Sequence, residues 1–237
     1  MVTFSELQEL EHAALDLITR EGVFHRVNSL VNAAHKARFV VGQRYPVNVH
    51  LSFTLPTRLR EDHGHNAIER DFHVGCFASR VKDRDEIQSL TYSVLIGQDE
   101  HPSLQVARKF HFDFEPILQR NAAEPKPSFH MQMCGELSDH HEKHGYTGTH
   151  IQHLLPAWSK PRIPMQPMSL ALVLNWLFIE FGTEAQVQNL RVNGKWRKLV
   201  HEAERKVLKP YYERCASFFG SHANNDLSFF LAQLYEK

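Results

Sequence analysis

The sequence predicts an α+β fold, an antiparallel five-stranded meander sheet with N-terminal and C-terminal helices packed on one face. Three observations predict it. Apolar residues recur at helical spacing at both ends of the chain, and the period drops to two between residues 45 and 137. The gaps between the period-two runs hold turn-forming residues and no convincing crossover helix, so consecutive strands should pair antiparallel. With 237 residues the chain can bury one substantial core. A single domain is therefore expected: helical over 1–40, sheet over 45–137, a His- and Pro-rich loop over 138–167, and helical over 168–237.

Each element has its own signal. Ser5 is expected to cap a first helix in which Leu7, Leu10, Ala14, Leu17 and Ile18 share a face, and a second helical stretch is expected over 23–39. Strands are expected at 47–55, 71–80, 87–97, 106–115 and 128–136, with Lys82-Asp83-Arg84-Asp85 as a short turn. Prolines over 156–167 impose an irregular path. Ser169 then caps an apolar helix over 170–181 that Gly182 ends, a long helix over 196–219 tolerates a kink at Pro210, and 227–235 closes the chain.

Charge and cysteine usage narrow the function classes. Lys plus Arg number 27 against 27 for Asp plus Glu, so no whole-molecule field draws the chain to nucleic acid or an anionic membrane. Cys76, Cys134 and Cys215 are widely spaced and odd in number, which argues against a disulfide framework or a cysteine zinc site. The first residues are acidic and amphipathic, unlike a signal peptide. The apolar run 170–181 is short for a membrane span and is interrupted by Asn175 and Glu180. A cytoplasmic protein with no membrane partner is the expectation.

Histidine is the compositional oddity, 17 residues against six tyrosines, and the strands explain where it goes. Splitting each strand by parity puts Val47, Val49, Leu51, Phe53 and Leu55 on one face and Asn48, His50, Ser52 and Thr54 on the other. Phe110, Phe112 and Phe114 likewise oppose Lys109, His111, Asp113 and Glu115, and Phe129, Met131 and Met133 oppose His130, Gln132 and Cys134. In the second strand Phe72 and Val74 oppose Asp71 and His73; in the third Leu90, Tyr92, Val94 and Ile96 oppose Thr91, Ser93 and Leu95. One face is a core. The other is polar, and either meets water, as one side of an antiparallel sheet often does, or lines a cleft. Its wealth of His, Asp, Ser and Gln, where solvated strands favour Lys, Glu and Thr, favours the cleft.

If the strands at 106–115 and 128–136 are neighbours, His111, Asp113 and Glu115 lie beside His130 and Gln132. Imidazoles titrate near neutrality and a carboxylate can orient one, so His111, Asp113 and His130 suit general acid–base catalysis. The same three are candidate ligands for a divalent metal. Gln132, Arg162, His50, Ser52 and Lys109 are the candidate substrate contacts, with Lys126 and Lys160 as further cations for a phosphate. A second cluster, Asp139-His140-His141-Glu142-Lys143-His144 with His150 and His153, reads as a loop over the polar face, with metal capture or plain exposure as alternatives. The lysines and arginines of the C-terminal helix alternate with Glu202, Glu204 and Glu213, which fits a solvated face better than a nucleic-acid groove.

His50-Leu51-Ser52 resembles one of the two H-x-S/T strands of the two-histidine phosphoesterases, but the chain has no second copy. A wider resemblance covers residues 106–182. The run Phe110-His111-Phe112-Asp113-Phe114-Glu115-Pro116, then Pro127-Ser128-Phe129-His130-Met131-Gln132, then Pro161-Arg162-Ile163-Pro164 and the helix after Ser169 resemble a group of bacterial proteins sharing a domain of unknown function. That group shows a His-x-Asp strand, a His-x-Gln strand and an Arg-Ile-Pro segment. The resemblance attaches no activity and adds Arg162 to the candidate set. The reading that follows is a hydrolase or phosphodiesterase acting on a phosphate ester, a nucleotide or nucleic acid. The rival is a non-catalytic binding or assembly component, for example of a phage-defence or mobile-element system, docking a protein partner or a small signal.

Overall fold

The computed structural model describes residues 2–21, 23, 26–27, 53–59, 68–80, 84–100, 103–114, 128–133, 146–147, 163–182 and 185–221. These show helices combined with an antiparallel sheet, an α+β fold. Helix α1 (Phe4–Arg20) opens with a capping box: the Glu6 amide donates to Thr3 Oγ1 at 3.2 Å, and the Thr3 amide donates to Glu6 Oε2 at 3.0 Å. Thr3 is thus the cap in place of Ser5. Ser5 lies inside the helix, and its amide and hydroxyl both donate to Asp85 Oδ1 at 2.9 Å. The turn before strand β4 thereby holds the start of α1.

The strands are β1 (Arg26–Val27), β2 (Phe53–Leu59), β3 (Ile68–Arg80), β4 (Ile87–Glu100), β5 (Ser103–Phe114), β6 (Phe129–Met133), β7 (Tyr146–Thr147) and β8 (Ile163–Pro164). Among the described residues they form an eight-stranded sheet in the order β1-β2-β3-β4-β5-β6-β8, antiparallel at each step, with β7 running parallel beside β5. The expected count of five is corrected. Strands β1, β7 and β8 have two residues each, which is too short for alternation to reveal. Arg26 and Val27 also replace part of the helix expected over 23–39, the rest of which lies outside the described residues apart from Val23, as does the expected helix at 227–235. Likewise β7 and β8 interrupt the expected irregular loop at 138–167.

Helices α2 (Leu170–Glu180), α3 (Ala185–Val192), α4 (Gly194–Ala203) and α5 (Lys209–Ser221) follow, and α3 had no expectation attached to it. Ser169 caps α2 as its sequence position suggested, accepting from the Leu172 amide at 3.4 Å. Seven of the eleven α2 residues are buried, all apolar, as befits a helix surrounded by protein. Asn175, which interrupts that apolar run, accepts the Trp196 indole N–H at 3.1 Å and so satisfies a donor that burial would otherwise strand.

Between α4 and α5 lies one π-helical stretch, Glu204–Leu208, in which the Lys209 amide bonds to the Glu204 carbonyl five residues back. Pro210 sits one residue further on. Its ring would clash with the carbonyl four residues earlier in an unbroken α-helix, and the wider turn supplies the clearance. The kink foreseen at Pro210 therefore takes the form of a bulge.

The described core joins the even-numbered residues of β4 and β5 to the helices. Leu90, Tyr92, Val94, Ile96, Phe112 and Phe114 are buried with Leu7, Leu10 and Ala14 of α1 and with Leu174 and Phe178 of α2. Trp176 meets Phe110 and Phe112 edge to face, with centroids 6.2 and 5.6 Å away. The apolar parity list for these strands is the core face.

Candidate functional site

Residues directly opposite each other in an antiparallel ladder share a face, so the register shows which polar residues meet. Asp113 stands opposite His130, and His111 opposite Gln132. On the other side of β5, Asp113 faces Thr91, His111 faces Ser93 and Lys109 faces Leu95. Two transverse polar rows cross three strands: Thr91, Asp113 and His130 form one; Ser93, His111 and Gln132 form the next. The register shift in the β4–β5 ladder falls between Ile96 and Gly97, beyond both rows, so parity holds through them.

Side-chain contacts run along each row. His130 Nε2 lies 3.5 Å from Asp113 Oδ2, the histidine 1% and the aspartate 14% exposed. Ser93 Oγ lies 3.4 Å from His111 Nδ1, a contact that orients the ring. The expected meeting of His111, Asp113, His130 and Gln132 on one face is therefore present, and Ser93 joins them. Lys109, on the same face, is 2% exposed and is engaged by a partner.

The expectation of an open sheet face is corrected at its centre. Ser93, Leu95, Lys109 and His130 are all buried, at 8%, 3%, 2% and 1% exposure. Alternation tells which side of a sheet a residue occupies, and it carries no information about what lies over that side. A small cavity with room for about one water molecule is lined by the core-face residues Leu90, Tyr92, Phe112, Phe114 and Phe129, and Asp113 and His130 border it.

Among the described residues, no three or more His, Cys, Asp or Glu side chains are grouped so as to hold a metal ion, so His111, Asp113 and His130 do not make such a set by themselves. His50, Ser52 and Arg162 lie outside the described residues, as do Lys126, Lys160 and the histidines of 139–153. No described helix is long and apolar enough to cross a membrane.

One chemically loaded residue escaped the sequence reading. Glu11 of α1 is buried at 4% exposure; it accepts the Tyr92 hydroxyl and, at 3.1 Å, the Leu170 amide, both at Oε1. Burial pushes its carboxyl up from 4.5 to about 7, against the lowering effect of those two hydrogen bonds. The signal was available: Glu11 sits four residues after Leu7 and three before Ala14, on the apolar stripe of α1.

Comparison of the chain with protein-family models, with curated proteins and with solved structures finds no match. The functional reading thus stands on the geometry of these residues.

Proposed function

We propose that the chain is a hydrolase of phosphate esters working by general acid–base catalysis from the two polar rows. The observation that carries the reading is the His130–Asp113 contact at 3.5 Å, in which a carboxylate orients an imidazole. Held this way, His130 delivers a proton to the leaving oxygen, while His111, oriented by Ser93, withdraws one from the attacking water. Gln132 beside His111 serves the phosphoryl oxygens, with Lys109, Arg162, His50 and Ser52 as further contacts. We also take the helices at both ends to pack on the face of Tyr92 and Phe112, which assigns the opposite face of the sheet of a cytoplasmic protein to substrate. The resemblance to the bacterial group with His-x-Asp and His-x-Gln strands is part of this proposal.

The test is release of p-nitrophenolate from bis-p-nitrophenyl phosphate and from p-nitrophenyl phosphate, with and without added zinc or manganese. Wild-type protein should turn over one of them, and His111→Ala and Asp113→Asn should each lower the rate by about 10²–10⁴-fold while keeping the circular-dichroism spectrum. Wild-type rates equal to buffer, or variants as fast as wild type, would refute it.

A second reading has its own observation. Burial of Lys109 and His130 at 2% and 1% exposure suits a polar network that fixes structure in a binding or assembly component. In that case His111→Ala and Asp113→Asn shift stability and no esterase activity is found in any form of the protein.

A further inference from the structure

The position of Glu11 has a consequence that is independent of the hydrolase reading. Its side chain is where three elements meet: it belongs to α1, its Oε1 takes the Tyr92 hydroxyl from β4, and the same oxygen takes the Leu170 amide at the first turn of α2. Two donors converge on one oxygen. The other, Oε2, is buried and has no hydrogen-bond partner. A neutral carboxyl fits this arrangement, because its charge is absent and its buried O–H costs far less than a buried anion.

Both donors that reach Oε1, a hydroxyl and a backbone amide, are uncharged. On α1 itself Gln8 lies one turn before Glu11 and His12 directly follows it, His12 being engaged by a partner; β4 contributes Tyr92; α2 contributes its backbone amide. Helix α4, which also packs on α1, buries only Trp196, Leu199, Val200 and Ala203. Lys206, the cation that the π-helical stretch brings to α1, is engaged by Glu9 at 3.7 Å and Glu202 at 3.4 Å.

We propose that Glu11 is a proton-operated latch, which fastens α1 to β4 and to the start of α2 when its carboxyl is protonated and loosens α1 when it ionises. Tyr92 gives the latch reach. Its hydroxyl holds Glu11, while the residue also lines the small core-face cavity that Asp113 and His130 border, so release of α1 reaches that cavity.

The sign follows from linkage. The folded chain holds this proton up to about pH 7, whereas the unfolded chain loses it near 4.5. Between those values the native state binds more protons, so the closed form weakens as pH rises, by at most about tenfold in its equilibrium constant per pH unit for one proton.

The experiment is carboxyl ¹³C NMR of the whole protein from pH 4 to 8, together with hydrogen exchange of the α1 amides corrected for the intrinsic pH dependence of exchange. The Glu11 carbon should titrate near 7, and opening of α1 should rise with pH across the same interval. Glu11→Gln, which keeps an acceptor for Tyr92 and Leu170 and cannot ionise, should flatten that rise. A Glu11 midpoint below about 5.5, or an undiminished rise in Glu11→Gln, would overturn the proposal. The wild-type titration decides the matter even if the variant does not fold.

Discussion

Replacing Gly182 by alanine puts a methyl carbon where the fold has no room for one. The added carbon would lie 2.4 Å from Val187 Cγ1, 2.7 Å from the Phe178 carbonyl oxygen and 3.1 Å from the Phe178 α-carbon. Comfortable carbon contacts lie at about 3.5–4.0 Å, so relief requires shifts of roughly 1 Å. Two of the three atoms are helix backbone, and the Phe178 ring is fully buried with its centroid 5.4 Å from that of Trp196, so α2 cannot move aside alone. Overpacking of this kind costs about 1–3 kcal/mol. The Gln188 side-chain amide also donates to the Gly182 carbonyl, and losing that bond adds about 1 kcal/mol. The expected loss is therefore about 2–4 kcal/mol, or roughly 5–15 °C in melting temperature for a chain of this length. Gly194, the first residue of α4, supplies the internal control. Nothing lies within 4 Å of an added carbon there, and Gly194→Ala should gain about 0.4–1 kcal/mol by stiffening the unfolded chain. Urea denaturation followed by circular dichroism measures both variants. A Gly182→Ala midpoint within about 0.5 kcal/mol of wild type would show that the α2–α3 junction is not packed as described.

Thr3→Ala removes half of the capping box and should cost about 1 kcal/mol, visible as faster amide exchange in the first turn of α1. Asp113→Asn leaves buried His130 facing a neutral amide and should cost about 1–3 kcal/mol at pH 7; an unchanged urea midpoint would mean that the 3.5 Å contact contributes nothing. Global stability should carry the Glu11 signature too, falling by at most about 1.4 kcal/mol per unit as pH rises from 4.5 towards 7. That component should be missing from Glu11→Gln.

The alternation of Phe110, Phe112 and Phe114 with His111 and Asp113 was enough to place the site residues on one face. A buried sheet face enforces period two strictly, because a one-residue slip would drive three phenylalanines into the polar row. Helix α2 was legible for a similar reason, since a cap at Ser169 and an apolar run interrupted only by Asn175 and Glu180 admit few alternatives. What escaped was whatever depends on contact between distant segments. Pairing of His130 with Pro164 and of Leu104 with Tyr146 involves two-residue strands that have no periodicity of their own. Burial of Lys109 and His130 depends on what covers the face, and the partners of Glu11 lie 81 and 159 residues away along the chain. An acid on an apolar stripe signals that some partner exists without saying which.

The π-helical stretch at Glu204–Leu208 works as a one-residue gear in the C-terminal helices. Each α-helical residue advances the side-chain direction by about 100°, so the additional residue taken up by a π turn re-phases everything after it relative to everything before. Upstream, Trp196 is aimed at Phe178; downstream, Tyr211 is aimed at Phe129 on β6, with ring centroids 5.8 Å apart. A regular helix through the same span could satisfy one of these directions and miss the other. Deleting a single residue from 204–208 would therefore act at a distance, turning α5 by about a quarter of a revolution and lifting Tyr211 from the strand that carries His130.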